Sequence, residues 1–372
     1  MKKFVLAPDS FKGSLSANEI CEVWSKAIIK HIPQAEIVRF PVADGGEGLV
    51  DAFLRVCGGE RIIAEVQNPL GEPVQAAYGI LPNGSAVVEM ASAAGLPMIA
   101  ERKNPLVAST YGVGQLLLHA EARGVKQVIL GLGGSATNDC GVGMAGALGY
   151  EFYDAEGHKA EPLAKNMHRI TRILPPARKP ALCVVAACDV NNPLCGPNGA
   201  TYTYGAQKGA TPEMQAELDA GLINMARVIE RDLGVLAAEV PGAGAAGGLG
   251  AGVLAFLGGT LTPGIELLLD EAGFDRMLEG ADIVFTGEGR IDWQSARGKV
   301  PVGVSRRAKK RGIPCVALCG SIGQGAEAVY DEGITAIFTS VNRAATFEEI
   351  KQTAGEDMRL LMDATIRLLL AK

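Results

Sequence analysis

The sequence is poor in the residues that several enzyme classes require. Only four His occur, at 31, 119, 158 and 168, and they form no cluster. Neither a zinc site nor a His-centred triad is expected from them. Aromatic residues make up 5 % of the chain, too few for recognition of nucleic acid by base stacking. Lys and Arg number 35 against 41 Asp and Glu, for a net charge of −6. A binder of the phosphate backbone would carry a basic excess instead. No GxxxxGK[ST] loop, no GxSxG elbow and no HRD-with-DFG pair occurs, which excludes P-loop enzymes, α/β-hydrolases and protein kinases. No window of about 18 uninterrupted apolar residues exists, so no membrane span is expected. Met1-Lys2-Lys3 leads into a short apolar run that stops at Pro8. That is no signal peptide, and a cytoplasmic location follows as the expectation. The eight Cys lie scattered in apolar settings and read as reduced and mostly buried. Cys315 and Cys319 share a strand face, which points to packing.

What the chain has in excess is glycine, 48 of 372 residues, roughly twice the usual ~7 % share. Much of it sits in turns that follow apolar runs. Phe4–Ala7 runs into Pro8-Asp9-Ser10-Phe11-Lys12-Gly13-Ser14, and Val38–Ala43 into Asp44-Gly45-Gly46-Glu47-Gly48. Val128–Leu130 leads to Gly131-Leu132-Gly133-Gly134-Ser135-Ala136-Thr137-Asn138-Asp139, and Leu182–Ala187 to Cys188-Asp189-Val190-Asn191-Asn192-Pro193. Ile283–Phe285 leads to Thr286-Gly287-Glu288-Gly289-Arg290. Ligands of open α/β sheets bind outside the carboxyl ends of the strands. Backbone N–H groups in such turns suit anions.

A length of 372 residues predicts two domains. Both ends of the chain alternate strand and helix. Ser16-Ala17-Asn18-Glu19 is a capping box for a helix to about His31, and Thr346-Phe347-Glu348-Glu349 caps the last helix. The middle differs: Gln75–Ile80 and Ser85–Met90 flank Leu81-Pro82-Asn83-Gly84, a hairpin signal. Thr211-Pro212-Glu213 opens a long helix, and Lys159–Pro180 reads as an irregular excursion or partner-facing loop. The expected fold is α/β in two domains. A discontinuous, doubly wound Rossmann- or flavodoxin-like domain spans 1–76 and 270–372. An inserted mixed α/β domain spans 77–269, and the active site lies in the cleft between them.

Two chemistries compete for the glycine turns. Gly131–Ala136 fits GxGxx(G/A) after a strand, with Asp154 where a ribose-binding acid would stand, and Gly242–Gly247 is a second GxGxxG. A dinucleotide-dependent oxidoreductase of a small hydroxy acid is therefore the alternative. Against it, Thr137-Asn138-Asp139 is polar where a Rossmann helix would pack on its sheet. Phosphoryl transfer needs donors around phosphate oxygens, a metal-binding carboxylate and a carboxylate facing the acceptor hydroxyl. Lys12, Arg290 and Lys299 supply cations; Asp44, Asp139, Asp189, Glu288 and Asp292 supply carboxylates. Plainer roles stand beside these. Asp139 also fits a first-turn helix acid, Lys299 a surface lysine, and the glycines from Gly242 onward tight helix packing.

Nine segments in one order carry a resemblance. They are Ala7–Ser16, Pro41–Gly48, Arg102–Leu106, Gly133–Asp139, Cys188–Val190 with Asn192–Leu194, Gly205-Ala206-Gln207-Lys208-Gly209-Ala210, Pro241–Gly248, Thr286–Asp292 and Gly298–Pro301. In these the chain resembles the bacterial glycerate kinase family, departing at Cys140, where that family usually carries Gly, and at Ala206, where it often carries Pro. Gly13 replaces a Glu of some members. The resemblance implies ATP + D-glycerate → ADP + phosphoglycerate with Mg²⁺, mostly at the 2-position, although nothing in the spacing separates O2 from O3. It leaves oligomeric state and the metal ligands open. On this reading Asp189, then Asp44, orients or deprotonates the acceptor hydroxyl. Arg290 and Lys12 hold the glycerate carboxylate or the transferring phosphoryl group. Ser135, Thr137 and Asn138, at an expected helix N-terminus, bind phosphate or substrate, as do Ser10, Asp139, Glu288 and Asp292. The backbone through Gly247 and Gly248 binds nucleotide phosphates, and Lys299 neutralises the leaving phosphate.

Overall fold

The computed structural model describes residues 2–42 and 48–371. Asp44, the second choice for the acceptor-facing carboxylate, lies outside the described residues, as does Glu47. The chain divides into two compact units, Met1–Cys57 with Ile265–Lys372, and Gly58–Gly264.

The split unit is built on a parallel sheet of five strands. Their order is Ile334–Thr339, Cys315–Cys319, Ile283–Gly287, Lys3–Pro8, Glu36–Arg39. Strand Lys3–Pro8 pairs in parallel with both Ile283–Gly287 and Glu36–Arg39. From it the chain moves to one side to reach Glu36–Arg39, while the strands after Ile283 are added on the other side. The point where the winding reverses is therefore between Lys3–Pro8 and Ile283–Gly287, the place where such sheets bind ligands. The capping box forms as read: the Ser16 side chain accepts from the Glu19 N–H and Glu19 reaches back to the Ser16 backbone. Thr346 and Glu349 repeat it at the last helix, Phe347–Leu370. Ile20, Trp24 and Ile28 of helix Ala17–His31 join Met358 and Met362 of the last helix over Phe4, Leu6, Phe285 and Leu318 of the sheet. Val5 and Val284, which alternate to the other face, are equally buried. Helix Val300–Lys310 packs against the same strands.

The continuous unit carries a mixed sheet of six strands, in the order Thr260–Thr262, Cys183–Ala187, Gln127–Gly131, Ala86–Glu89, Pro73–Ile80, Glu60–Gln67. The first four are parallel. The last two are added antiparallel, and the expected hairpin joins Pro73–Ile80 to Ala86–Glu89.

The domain boundary expected after residue 76 falls at Cys57/Gly58, and the return falls at Gly264/Ile265. The reason is strand Glu60–Gln67, which pairs along its whole length with Pro73–Ile80 and so belongs to the mixed sheet. It buries Ile62, Ala64 and Val66 on one face. Lys159–Pro180 is also not an irregular loop. Its strands Lys159–Ala160 and Arg172–Leu174 flank Glu151–Tyr153 in a three-stranded antiparallel sheet. The Asn224 amide of helix Pro212–Leu233 donates to the Met167 and Ile170 carbonyls. Asp232 accepts from the Ile173 N–H. Basic and proline residues sit on the outside of this patch, while Met167, Ile170 and Ile173 are buried.

Candidate active site

In the continuous unit the carboxyl ends of Gln127–Gly131 and Cys183–Ala187 open onto a pocket of about 350 Å³. Gly133, Gly134, Ser135, Asp189, Tyr204 and Lys208 are among the residues that line it. Asp189 lies two residues past the end of strand Cys183–Ala187 and is exposed. One of its oxygens, Oδ1, accepts from the Gly264 N–H at 2.9 Å. Tyr204 is held by donating its hydroxyl to Asn192 Oδ1 at 2.7 Å.

Lys208 is the residue that sequence reasoning passed over. It closes the 3₁₀ turn Ala206–Lys208, which Gly209 ends in a left-handed conformation with φ +92°. A Cβ at Gly209 would lie 2.8 Å from Lys103 Cβ, so glycine is needed there on two counts. The Lys208 side chain is only 1 % exposed. Its Nζ donates to Ser135 Oγ at 2.7 Å and to the Thr137 carbonyl at 2.6 Å. Burial pushes its pKa down to about 7, and the charge of Asp139 offsets only part of that. The available signal was a lone cation within Gly205–Ala210, a run otherwise uncharged and, apart from Gln207, made of Gly and Ala.

The neighbours of Ser135 are placed differently from expectation. The helix after this turn begins at Val142, so Ser135, Thr137 and Asn138 do not stand at a helix N-terminus. Thr137 and Asn138 are fully buried. Asn138 Nδ2 donates to Thr201 Oγ1 at 3.0 Å. Thr137 Oγ1 and Asn138 Oδ1 have no hydrogen-bond partner among the described residues. Asp139 is fully buried and braces the fold. It accepts from the Thr110 N–H and hydroxyl, both at 2.8 Å, and from the Gly141 and Gly143 N–H groups at 3.1 and 3.3 Å. Burial raises its pKa, and these donors oppose the rise. Asp139 is not the first-turn helix acid of the plainer reading either, because helix Val142–Ala147 has no acid in its first turn; its contacts tie its own turn to Thr110.

Gly247 and Gly248 also serve packing. A Cβ on Gly247 would lie 2.0 Å from the Thr137 carbonyl oxygen, and one on Gly248 would lie 3.0 Å from Cys140 Cα. Both glycines have positive φ, as does Ala246 at 54°. The segment is the seat on which the Thr137–Cys140 turn rests, and its lining of the pocket comes from Ala245 and Ala246 instead. Cys140 is itself left-handed, with φ 53°. That conformation explains why a family with Gly at this position loses nothing by it. Asp154 accepts from the Glu156 and His158 N–H groups in a hairpin turn, which is no ribose site. Asp154, Glu156 and His158 form the one group of three metal-capable side chains found among the described residues.

In the split unit, the turns at the winding reversal carry the remaining candidates. Ser10 is buried and Lys12 exposed in the turn after Lys3–Pro8. After Ile283–Gly287, Glu288 is buried, accepts from the Ser295 hydroxyl and lies 3.6 Å from Lys299 Nζ. Burial raises its pKa, against the lowering by Ser295 and Lys299. Arg290 is exposed and lies 3.6 Å from Asp292. Asp292 also accepts from the Gln294 N–H at 2.9 Å. Lys299 is the N-cap of helix Val300–Lys310, where the helix dipole favours anions. A Cβ on Gly287 would lie 1.8 Å from the Leu318 carbonyl oxygen, so this turn tolerates no side chain there.

Polar strand ends with several cations in one unit, and a pocket holding a buried lysine and a carboxylate in the other, define an α/β protein that handles small anionic molecules. The description of the glycerate kinase family matches residues 4–370. A glycerate kinase from Halalkalibacterium halodurans is 46 % identical over 95 % of this chain and 94 % of its own length. A glycerate 2-kinase from Escherichia coli K12 is 44 % identical, covering 96 % of this chain and 95 % of its own. A solved structure from Salmonella typhimurium LT2, provisionally assigned as a glycerate kinase 2, superimposes with a TM-score of 0.83. It is 39 % identical and covers 99 % of this chain and 98 % of that one. The chain belongs to the glycerate kinase family. Among the described residues no helix is long and apolar enough to cross a membrane.

Proposed function

We propose that the protein transfers the γ-phosphoryl group of ATP to D-glycerate, giving ADP and 2-phosphoglycerate. The observation that carries this reading is the pocket of Asp189, Ser135 and Lys208 in a chain matched by the glycerate kinase family from residue 4 to residue 370. Support for the 2-position comes from the Escherichia coli relative, named as a glycerate 2-kinase.

Asp189 is the group that takes the acceptor proton. It lies just past a strand end, lines the pocket and is fixed through one oxygen by the Gly264 N–H. The hydroxyl oxygen attacks the γ-phosphorus, the bond from that phosphorus to the ADP oxygen breaks, and the hydroxyl proton passes to Asp189. Positioning and electrostatics supply most of the rate in such transfers. Lys12, Arg290 and Lys299 are the cations for the phosphate chain. Mg²⁺ fits the donor set, since it needs one or two carboxylates beside phosphates and waters, and Asp292 is of that kind. When bound with ATP, Mg²⁺ would neutralise phosphate charge.

An ADP-release assay across short hydroxy acids, with Mg²⁺ titrated, tests the proposal. D-glycerate is expected to give the highest kcat/KM, and chelation of the metal to abolish turnover. Equal ADP release with and without any acid would refute it, as would NAD(H)-dependent oxidation of the acid without use of ATP.

A further inference from the structure

Lys208 places an ionisable amine where the fold has no evident use for one. An ammonium in an apolar interior is unfavourable unless an anion faces it. The two partners of its Nζ, Ser135 Oγ and the Thr137 carbonyl, are both neutral. Asp139, the acid that acts on it, is outweighed by burial and directs its carboxylate to Thr110, Gly141 and Gly143. An ammonium has three N–H donors, and two are used among the described residues. Ser135 Oγ accepts from Lys208, which leaves its own proton to donate. Both residues line the pocket that Asp189 lines.

We propose, resting on the function inferred above, that Lys208 and Ser135 form the seat of the substrate carboxylate. The third Lys208 N–H donates to one carboxylate oxygen and the Ser135 hydroxyl to the other. The charges favour a carboxylate over a nucleotide. The pocket offers one buried cation and one carboxylate, Asp189, which suits a monoanion. A triphosphate needs several cations, and those lie on the turns of the split unit at Lys12, Arg290 and Lys299. An acid anchored through its carboxylate in this pocket has its hydroxyls in the space that Asp189 borders. Lys208 is thus a specificity-determining residue, selecting an acid over its neutral analogues.

The test uses the full chain with D-glycerate and its uncharged analogue D-glyceramide. Lys208→Met is expected to raise the KM for glycerate about 10- to 100-fold, the usual range for losing a charge-assisted hydrogen bond. The KM for ATP should stay within threefold. Preference for acid over amide, measured as a ratio of kcat/KM, should fall at least tenfold, and Lys208→Arg should restore part of it. A merely structural lysine would not move that preference. Should Lys208→Met fail to fold, Ser135→Ala carries the test, with a glycerate KM raised several-fold and the same selective loss. A raised ATP KM with an unchanged glycerate KM would overturn the proposal in favour of a nucleotide phosphate. Unchanged acid-over-amide preference in a folded variant would overturn it outright. Absence of ADP release by the wild type would defeat the functional reading instead. Calorimetric titration with glycerate then decides the seat: binding by wild type and not by Lys208→Met upholds it, and equal binding by both overturns it.

Discussion

The two units place charge at their strand ends in opposite ways. In the split unit the cations are exposed and several: Lys12 and Arg290 stand in solvent, and Lys299 caps a helix beside Glu288. In the continuous unit the cation is single and buried, with Ser135 and Thr137 as its neighbours. Exposed cations are well solvated, can shift to follow a flexible polyanion, and lose strength as salt rises. A buried lysine held by two hydrogen bonds is fixed in place and strong, and is selective for one compact anion. On the proposed function, the contrast fits two anions of different size and charge, with the phosphate chain met by the first unit and the acid by the second.

Four substitutions break or sharpen that contrast. The largest effect is expected at Asp189→Asn. Its loss of proton acceptance should lower kcat by on the order of 10²-fold or more. The fold should persist, because Asn can still accept from the Gly264 N–H. Turnover within threefold of wild type in a steady-state assay would remove Asp189 from the chemistry.

Arg290→Ala comes next. The KM for ATP should rise about tenfold, at the low end for a hydrogen bond to a charged group because the side chain is exposed. The glycerate KM should change less. A reversed pattern would exchange the roles of the two units.

The third concerns stability and pH. The pKa of Lys208 in the fold, about 7, lies below its ordinary 10.5. Between those values the unfolded chain binds more protons than the folded one, so the contribution of Lys208 to stability rises with pH across that window. Below pH 7 the full penalty of a buried charge is present, offset in part by Asp139. Lys208→Met should therefore raise Tm most at or below pH 7, with the gain shrinking toward pH 10.5. A variant less stable than wild type at pH 7 would mean that the ammonium supports the fold. The smallest effect is expected at Cys140→Gly. Relief of a left-handed conformation, about 1 kcal/mol, opposes the loss of a buried side chain. Denaturant unfolding should register a change within about 1 kcal/mol, and a loss above 2 kcal/mol would show that the thiol packing dominates.

The contrast also shows what the sequence could reveal. Local signals were legible: the capping boxes at Ser16 and Thr346 form as read, Thr211 caps the helix that Pro212 opens, and the hairpin before Ala86 closes. The boundary at Gly58 was not, because Ile63 is exposed in the middle of an otherwise alternating strand and blurs its period. Nor was the sheet inside 151–174, where three short strands depend on the helix Pro212–Leu233 for their burial. For the site, residues just past strand ends, such as Asp189, were legible from position alone. Asp139 misled because a carboxylate in a glycine turn looks the same whether it faces a ligand or four backbone and hydroxyl donors. Gly247 and Gly248 misled likewise, since glycine serves close packing as readily as anion binding. Lys208 escaped because nothing local marks a lysine as buried; its environment comes from Ser135 and Thr137, more than 70 residues away.

The proposed reaction is transfer of phosphate from ATP to the 2-hydroxyl of glycerate. The most direct measurement is NMR of the product formed by the wild-type protein from D-glycerate and Mg-ATP. The phosphorus signal is expected to couple to the single proton on C2. Coupling to the two C3 protons, or no phosphorylated acid at all, would contradict it.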